Sequence, residues 1–564
     1  MYKPTNPLVV QSDRTILLEV KHQLFTEARD FLSSFAELVK SPEYIHSYRI
    51  TPLSVWNAVA AGMSGKEIIE GLNQYVKFDI PQNIIFEILS YAKRYGQIKL
   101  IKKNNDYLLK IEDATVIAEI SSHQSVVSYL AERVSSTEIK IQENSRGRLK
   151  QALIKIKYPV EDLAGYSYGE PLDICIRQKT LNGKDMQLRE YQKQSIAAFY
   201  LNGTARGGNG VVVLPCGAGK TVVGMGVMAQ TKTYTLIITT GIVAVRQWIN
   251  ELLDKTNLTI DEIGEYTGEK KEIKPVTITT YQILTWRSQK DKKFKHMQLF
   301  DEHDWGLIIY DEVHLLPAPV FRATTELQSR RRLGLTATLV REDGCEDDVY
   351  SLIGPKRYDA PWSDLERQGY IATARCYEIR ISMDDELKLK YAVADKRKKF
   401  RIAAENYAKI PIIKRLIAKH SSERILVIGQ YISQLKQISK ELEAVLITGK
   451  TPNWQREEYY QKFRVGEITV LVVSKVANFA IDLPEASVAI QVSGSYGSRQ
   501  EEAQRLGRLL RPNEEEIQAS FYTLVSRDST EQDFAMNRQL FLTEQGYKYY
   551  ILEPKDLAVV LNND

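Results

Sequence analysis

The sequence predicts an α/β protein: two parallel-sheet domains in tandem, preceded by a helical unit and a small mixed α+β domain. Three observations carry this reading. From residue 185 onward, short apolar β-type runs alternate with longer helix-type segments, the pattern of parallel strands covered by helices on both faces. The set of runs ends near 355–369 and a comparable set then begins again. The first run of the first set enters a small-residue turn that closes on Gly-Lys-Thr.

At the N-terminus, "HQLFTEARDFLSSFAELVKS" and "TPLSVWNAVAAGM" place apolar residues at helical spacing, which predicts a helical domain over 1–70. In 71–178, "GQIKLIKKNNDYLLKI" and "RLKQALIKIKYPV" read as strands of a small mixed domain. The first sheet domain, 185–365, takes strands from 210–214, 234–239, 276–280, 306–310 and 333–336. The second, 366–564, takes them from 424–429, 444–448, 468–473, 488–492 and 520–525. Its opening stretch, 384–410, is helix-prone and carries a basic cluster at Lys396, Arg397, Lys398, Lys399 and Arg401. A chain of 564 residues exceeds what one hydrophobic core organises, in keeping with three or four domains.

Composition excludes some classes. With 43% hydrophobic and 26% charged residues the chain is globular in type, and a net charge of +5 permits a polyanionic partner without requiring one. No run of about 18 apolar residues occurs, and the first residues lack the apolar segment of a secretion signal, so an intracellular, soluble protein is expected. Cys175, Cys216, Cys345 and Cys376 lie far apart with no C-x-x-C pair. That spacing suits neither a zinc ribbon nor an iron-sulfur cluster, and the four are read as reduced thiols.

The chemistry begins at "VVVLPCGAGKT", residues 211–221. Backbone N–H groups in such a turn point at phosphate oxygens. Gly217 and Gly219 keep the approach open on either side of Ala218 in the binding turn, Lys220 reaches the β/γ-phosphates, and Thr221 would hold Mg²⁺. Leu214 stands where the strict pattern has a further glycine. "IIYDEVHLLP", 308–317, supplies an acid pair behind a buried strand. Asp311 would hold the metal through its water shell, Glu312 would orient or deprotonate the attacking water, and His314 would couple the site to its neighbours.

In the far half, "QRLGRLLRP" sets Arg508 and Arg511 three apart on one helical face, able to stabilise charge on a transferring phosphoryl group. Arg189 and Gln192 in "MQLREYQKQSI" have the donors and acceptors to grip an adenine edge. Thr336 and Thr338 in "GLTAT" place two hydroxyls after a strand end, suited to linking the acid pair to a bound strand.

These motifs, with "TTYQIL", Gln247-Trp248, "GLTATLVREDG", "IGPK", "SKVANFAIDLPEA", "EAQRLGRLLRP" and "FLTEQGYKYYIL", make the chain resemble the XPB family of superfamily 2 DNA helicases. The likeness spans nearly the whole chain and implies two RecA-like motor domains. It also implies an ATP-dependent DNA translocase of 3′–5′ polarity that opens duplex in nucleotide-excision repair or transcription. By the same likeness Asp482 and Gln504 join the nucleotide site, and Arg341-Glu342-Asp343 matches a loop implicated in duplex opening. The basic segment 384–410 falls where the family carries a DNA-gripping thumb, and 71–178 resembles its damage-recognition domain. Thr280, Trp454 and the Lys396–Lys399 cluster are the further candidate DNA contacts. The acidic insertion of eukaryotic members is absent, which favours a microbial, cytoplasmic protein over a nuclear one.

The expected cofactors are ATP and Mg²⁺. The expected partner is single-stranded, forked or bubble DNA, together with a nuclease or other repair factor and no membrane. The same motifs also serve a DNA-stimulated ATPase clamp that recruits such a partner with little unwinding of its own. A restriction-type motor and an RNA helicase are the other readings.

Overall fold

In the computed structural model the described residues are all except 1, 41–43, 105, 143–144, 167, 205, 216, 288–294, 301, 318–319, 321–329, 338–345, 361, 475–485, 495–517, 546 and 558–564. Within that set, the side chains of Glu346, Ser363, Lys396, Arg397, Asn453, Gln518, Phe541 and Glu544 are also left out. The chain divides into two compact units, 1–214 with 219–360, and 361–564 with 215–218.

The first unit holds three sheets. Its N-terminal part departs from the helical expectation, since Leu8–Val10, Thr15–Glu19, Ile45–Arg49 and Glu37–Lys40 form a four-stranded sheet in that order. The pairing is antiparallel throughout. Strands of three to five residues carry too little alternation to stand out in sequence. The helices follow them: Pro52–Ala60 and Gly65–Tyr75 each begin at a capping box, on Thr51 and Ser64, that satisfies otherwise orphaned N–H groups.

The mixed domain is a five-stranded sheet covered by helices. Ile98–Lys103 and Asp106–Ile111 pair as an antiparallel hairpin, as their pattern predicts. "RLKQALIK" is instead a helix, Arg146–Lys155, and only Val160–Asp162 beyond it is a strand. Leu149 and Leu153 are both fully buried one helical turn apart, and this packing overrides the alternation further along the segment. On the same helix Arg146 and Lys150, at i and i+4, reach Asp162 at 2.7 and 2.9 Å. The acid on the neighbouring strand thereby pins the helix to the sheet.

The third sheet of this unit has seven parallel strands: Ile263–Tyr266, Val276–Thr280, Thr235–Thr239, Leu307–Asp311, Arg331–Thr336, Asn209–Val213 and Lys356–Asp359, in that spatial order. The phosphate-loop strand and the acid-pair strand flank Arg331–Thr336, so their carboxyl ends open side by side. Both are apolar along nearly their whole length because a parallel sheet is covered on both faces.

The second unit repeats the plan. Val445–Ile447, Val470–Ser474, Ile425–Gly429, Val488–Gln491, Gln518–Ser526, Thr373–Ile381 and Tyr549–Leu552 form a second seven-stranded parallel sheet. The helix-prone stretch 384–410 contains two helices, Asp385–Val393 and Lys396–Ala404, the first capped by the Asp384 carboxylate on the Leu387 N–H at 2.7 Å. Phe400, Ala403 and Ala404 bury the apolar side of the second helix.

Candidate functional site

The site grows from the end of the strand Asn209–Val213. Gly217 and Gly219 both take left-handed backbone, at φ +82° and +77°, conformations that a Cβ strains. Gly219 has a second reason to lack a side chain, because a Cβ there would stand 2.7 Å from the Gln192 Nε2. The helix Lys220–Thr231 then starts directly, with Lys220 and Thr221 in its first turn, the end of a helix suited to an anion.

Two strands away, Leu307–Asp311 delivers the acid pair. Glu312 sits at φ +49°, a left-handed position for a residue with a side chain, costing on the order of 1–3 kcal/mol of local strain. Lys220 Nζ lies 3.5 Å from Glu312 Oε1, and His314 Nδ1 lies 3.4 Å from Glu312 Oε2. The same His314 nitrogen is 2.7 Å from Thr336 Oγ1, a buried contact.

Asp311 is held differently. Its Oδ2 accepts from Trp248 Nε1 at 3.0 Å and its Oδ1 from the Glu312 N–H at 3.1 Å. Tyr281 donates its hydroxyl to the Asp311 carbonyl at 3.0 Å. Trp248 and Tyr281 both lie in stretches quoted for their pattern, but no spacing in the sequence joins them to the acid pair, and their site roles were missed.

The two carboxylates are pushed apart electrostatically. Burial, and then the charge of Glu312, raise Asp311 to about 6. Burial would raise Glu312 too, but the charges of Lys220 and His314 outweigh it and hold Glu312 below its ordinary value. A buried aspartate pressed toward protonation by a neighbouring carboxylate is relieved by a cation, and Glu312 Oε2 is buried without accepting a hydrogen bond. The candidate donors, the two carboxylates and the hydroxyl of Thr221 in the first turn of the helix Lys220–Thr231, are hard oxygen ligands of the kind that suits Mg²⁺.

Gln192 is buried with its Oε1 accepting the Arg189 N–H at 3.0 Å, and Arg189 donates to the Tyr191 hydroxyl at 3.2 Å. The pair therefore stands beside the phosphate loop, with the glutamine amide against Gly219. Thr280 is buried, and its hydroxyl caps the following helical turn by accepting the Ile283 N–H at 3.2 Å. That hydroxyl is engaged within the fold, at a residue the sequence offered as a candidate DNA contact. In the second unit Trp454 is 69% exposed, Lys398 pairs with Asp395 at 3.4 Å, and Lys399 stands 5.3 Å from the Tyr391 ring centre. Thr338, Arg341, Glu342, Asp343, Asp482, Gln504, Arg508 and Arg511 lie outside the described residues, as do the side chains of Lys396 and Arg397.

Two parallel-sheet units, one carrying a phosphate loop and an acid pair on strands that flank a common neighbour, define a nucleoside-triphosphate-hydrolysing motor of the helicase class. Residues 365–559 match the model of the ERCC3/RAD25/XPB C-terminal helicase. Residues 185–341 match the type III restriction enzyme res subunit, and 8–135 a helicase conserved C-terminal domain. The chain is 51% identical to the DNA 3′-5′ helicase XPB of Mycobacterium tuberculosis, over 98% of each chain. It is 50% identical to the protein of that name from Kineococcus radiotolerans, over 98% of this chain and 97% of the relative. Against the general transcription and DNA repair factor IIH helicase/translocase subunit XPB of Encephalitozoon cuniculi it is 34% identical, over 99% of this chain and 84% of the relative. The chain belongs to the XPB helicase family.

Proposed function

We infer that this protein is an ATP-dependent DNA helicase that translocates 3′ to 5′ and opens duplex DNA in repair or transcription. The observation that carries the reading is the Lys220–Glu312 contact beside an Asp311 anchored by Trp248, in a chain of this family. Lys220 neutralises phosphate charge, Thr221 and Asp311 are the residues to hold Mg²⁺, and Glu312 orients and deprotonates the attacking water. When bound, the metal would offset the negative charge of the phosphate oxygens. Gln192 and Arg189 grip the base, joined by Asp482 and Gln504 from the second motor domain.

Arg508 and Arg511 are assigned to the terminal phosphate from that domain. Arg341, Glu342, Asp343, Thr338, Lys396 to Lys399 and Trp454 are assigned to DNA, where contact with the backbone makes affinity fall as salt rises. The modules are 1–70, 71–178, 185–365 and 366–564, with 71–178 as the lesion-reading part. A cytoplasmic setting is the reading that the likeness to bacterial relatives supports, and among the described residues no helix is long and apolar enough to cross a membrane. A nuclease or other repair factor is the protein partner this activity calls for.

The test pairs ATP turnover with strand displacement on intact, forked and bubble DNA, with RNA of matched length as a control. DNA-stimulated turnover with displaced strand supports the reading. Turnover without displacement would make the protein a clamp, and dominant stimulation by RNA would reject DNA as its track.

A further inference from the structure

Away from the nucleotide loop the first unit encloses a cavity of about 880 Å³, within the usual range for a small-molecule site. Its walls come from the turn after helix Pro52–Ala60, from the mixed-domain sheet, and from motor-domain residues at 201–209 and 350–357. Six lining side chains are Lys or Arg and four are Asp or Glu, and most of the acids are already engaged. Asp162 holds Arg146 and Lys150, Glu161 holds Arg206 at 3.1 Å, and Asp113 accepts the Thr115 N–H at 2.9 Å.

Two features are left without an internal explanation. Lys99 and Lys110 stand directly opposite one another on paired antiparallel strands, and neither forms an ion pair or side-chain hydrogen bond among the described residues. On their other flanks Lys99 faces Glu161 and Lys110 faces Glu138, but Glu161 pairs with Arg206 at 3.1 Å and Glu138 with Lys103 at 3.6 Å, so both ammonium groups remain open to an anion. Independently, Tyr350 is 8% exposed and its buried hydroxyl has no hydrogen-bond partner on the protein. An unsatisfied buried donor is expensive, and natural proteins seldom leave one without purpose. Burial first, and then the neighbouring Tyr95, raise this phenol well above its ordinary value, so it remains a neutral donor. Arg357 lies close by and donates to the Asn209 carbonyl and side-chain oxygens, both at 2.9 Å, without a carboxylate partner among the described residues.

We propose that this cavity is a second anion site, which takes a phosphate ester of roughly nucleotide size, with Lys99 and Lys110 on the phosphate and the Tyr350 hydroxyl as an added donor. The phosphate comes either from a small phosphorylated molecule or from the DNA backbone. Asn209, held by Arg357, opens the strand that runs into the phosphate loop, so the ligand bears on the base of the ATP site while tying the accessory domains to it.

The test measures the melting temperature of the full chain with inorganic pyrophosphate. Because pyrophosphate can also enter the nucleotide loop, Lys220→Ala is measured alongside Lys99→Ala/Lys110→Ala and Tyr350→Phe. The expected result is a stabilising shift that survives Lys220→Ala, weakens by at least about tenfold in affinity with the lysine pair removed, and weakens less in Tyr350→Phe. Lys99→Arg/Lys110→Arg, which keeps both charges, should restore binding. An undiminished shift in the double alanine chain overturns the proposal, as does a shift that vanishes with Lys220→Ala alone. A short oligothymidylate added to the Lys220→Ala chain separates the sources: displacement of pyrophosphate assigns the site to DNA phosphate, and no displacement assigns it to a small molecule.

Discussion

Lys220 and Glu312, 92 positions apart in the chain (312 − 220), meet at 3.5 Å with both side chains largely buried. The contact pairs the cation proposed to receive phosphate with the carboxylate proposed to activate the attacking water. Entry of a triphosphate would give Lys220 a stronger partner and leave Glu312 ready to accept a proton.

Glu312→Gln is expected to keep nucleotide affinity within a few-fold while hydrolysis falls by roughly 10² to 10⁴, the usual worth of a positioned base. Lys220→Ala should instead lose the affinity itself. Binding of a fluorescent ATP analogue and single-turnover hydrolysis, measured on both variants, separate the two effects. Retained hydrolysis in Glu312→Gln would remove that residue from the catalytic role.

Trp248→Phe keeps the ring but removes the indole N–H that fixes Asp311 at 3.0 Å. Loss of a hydrogen bond behind a metal-binding carboxylate typically weakens the metal by about 10- to 100-fold. The Mg²⁺ concentration for half-maximal ATPase should rise by that order, with the plateau rate changed less. An unchanged Mg²⁺ requirement would make the tryptophan a packing residue only.

His46 gives an acid-stability prediction. It is buried in the N-terminal sheet against Phe25, and burial first, then the Arg29 charge, lower it to about 4 from an ordinary 6.5. The unfolded chain therefore binds more protons between pH 4 and 6.5, and stability is lost as pH falls through that window. The size is about 3 kcal/mol, from the two and a half pH units between the two states. Denaturant midpoints of the protein and His46→Phe between pH 4 and 7 should diverge, with the variant the less acid-sensitive. Parallel curves would exclude the histidine.

In the second unit Lys409 Nζ bonds both oxygens of Glu531 at 2.9 Å and the Val492 carbonyl at 2.8 Å, with both side chains 1% exposed. Glu531→Gln should cost about 3–5 kcal/mol by leaving a buried ammonium without its counter-charge. Lys409→Met/Glu531→Leu should recover much of that loss. Thermal melts of the single and double variants measure the coupling, and additive losses would show that the ions act separately.

Much of this could be seen before any fold was known. Five apolar runs in each half match strands to within a few residues, because a strand covered on both faces must be apolar throughout. The strands Ile263–Tyr266, Lys356–Asp359, Thr373–Ile381 and Tyr549–Leu552 escaped notice, the second because half-exposed positions admit Lys, Arg and Asp. The helix Arg146–Lys155 was misread because "LIKIK" alternates while Leu149 and Leu153 keep helical spacing. Only packing against the mixed-domain sheet chooses between these periods.

The sequence by itself determined the strand-and-helix alternation of the two sheet domains, the phosphate turn and the acid pair, since each is written in a few consecutive residues. The tertiary structure alone decided that Trp248 and Tyr281 hold Asp311, that Gln192 lies against Gly219, and that Lys99 faces Lys110 above a cavity. Those contacts depend on strand order and register, which arise from the simultaneous packing of segments far apart in the chain and leave no mark on any one of them.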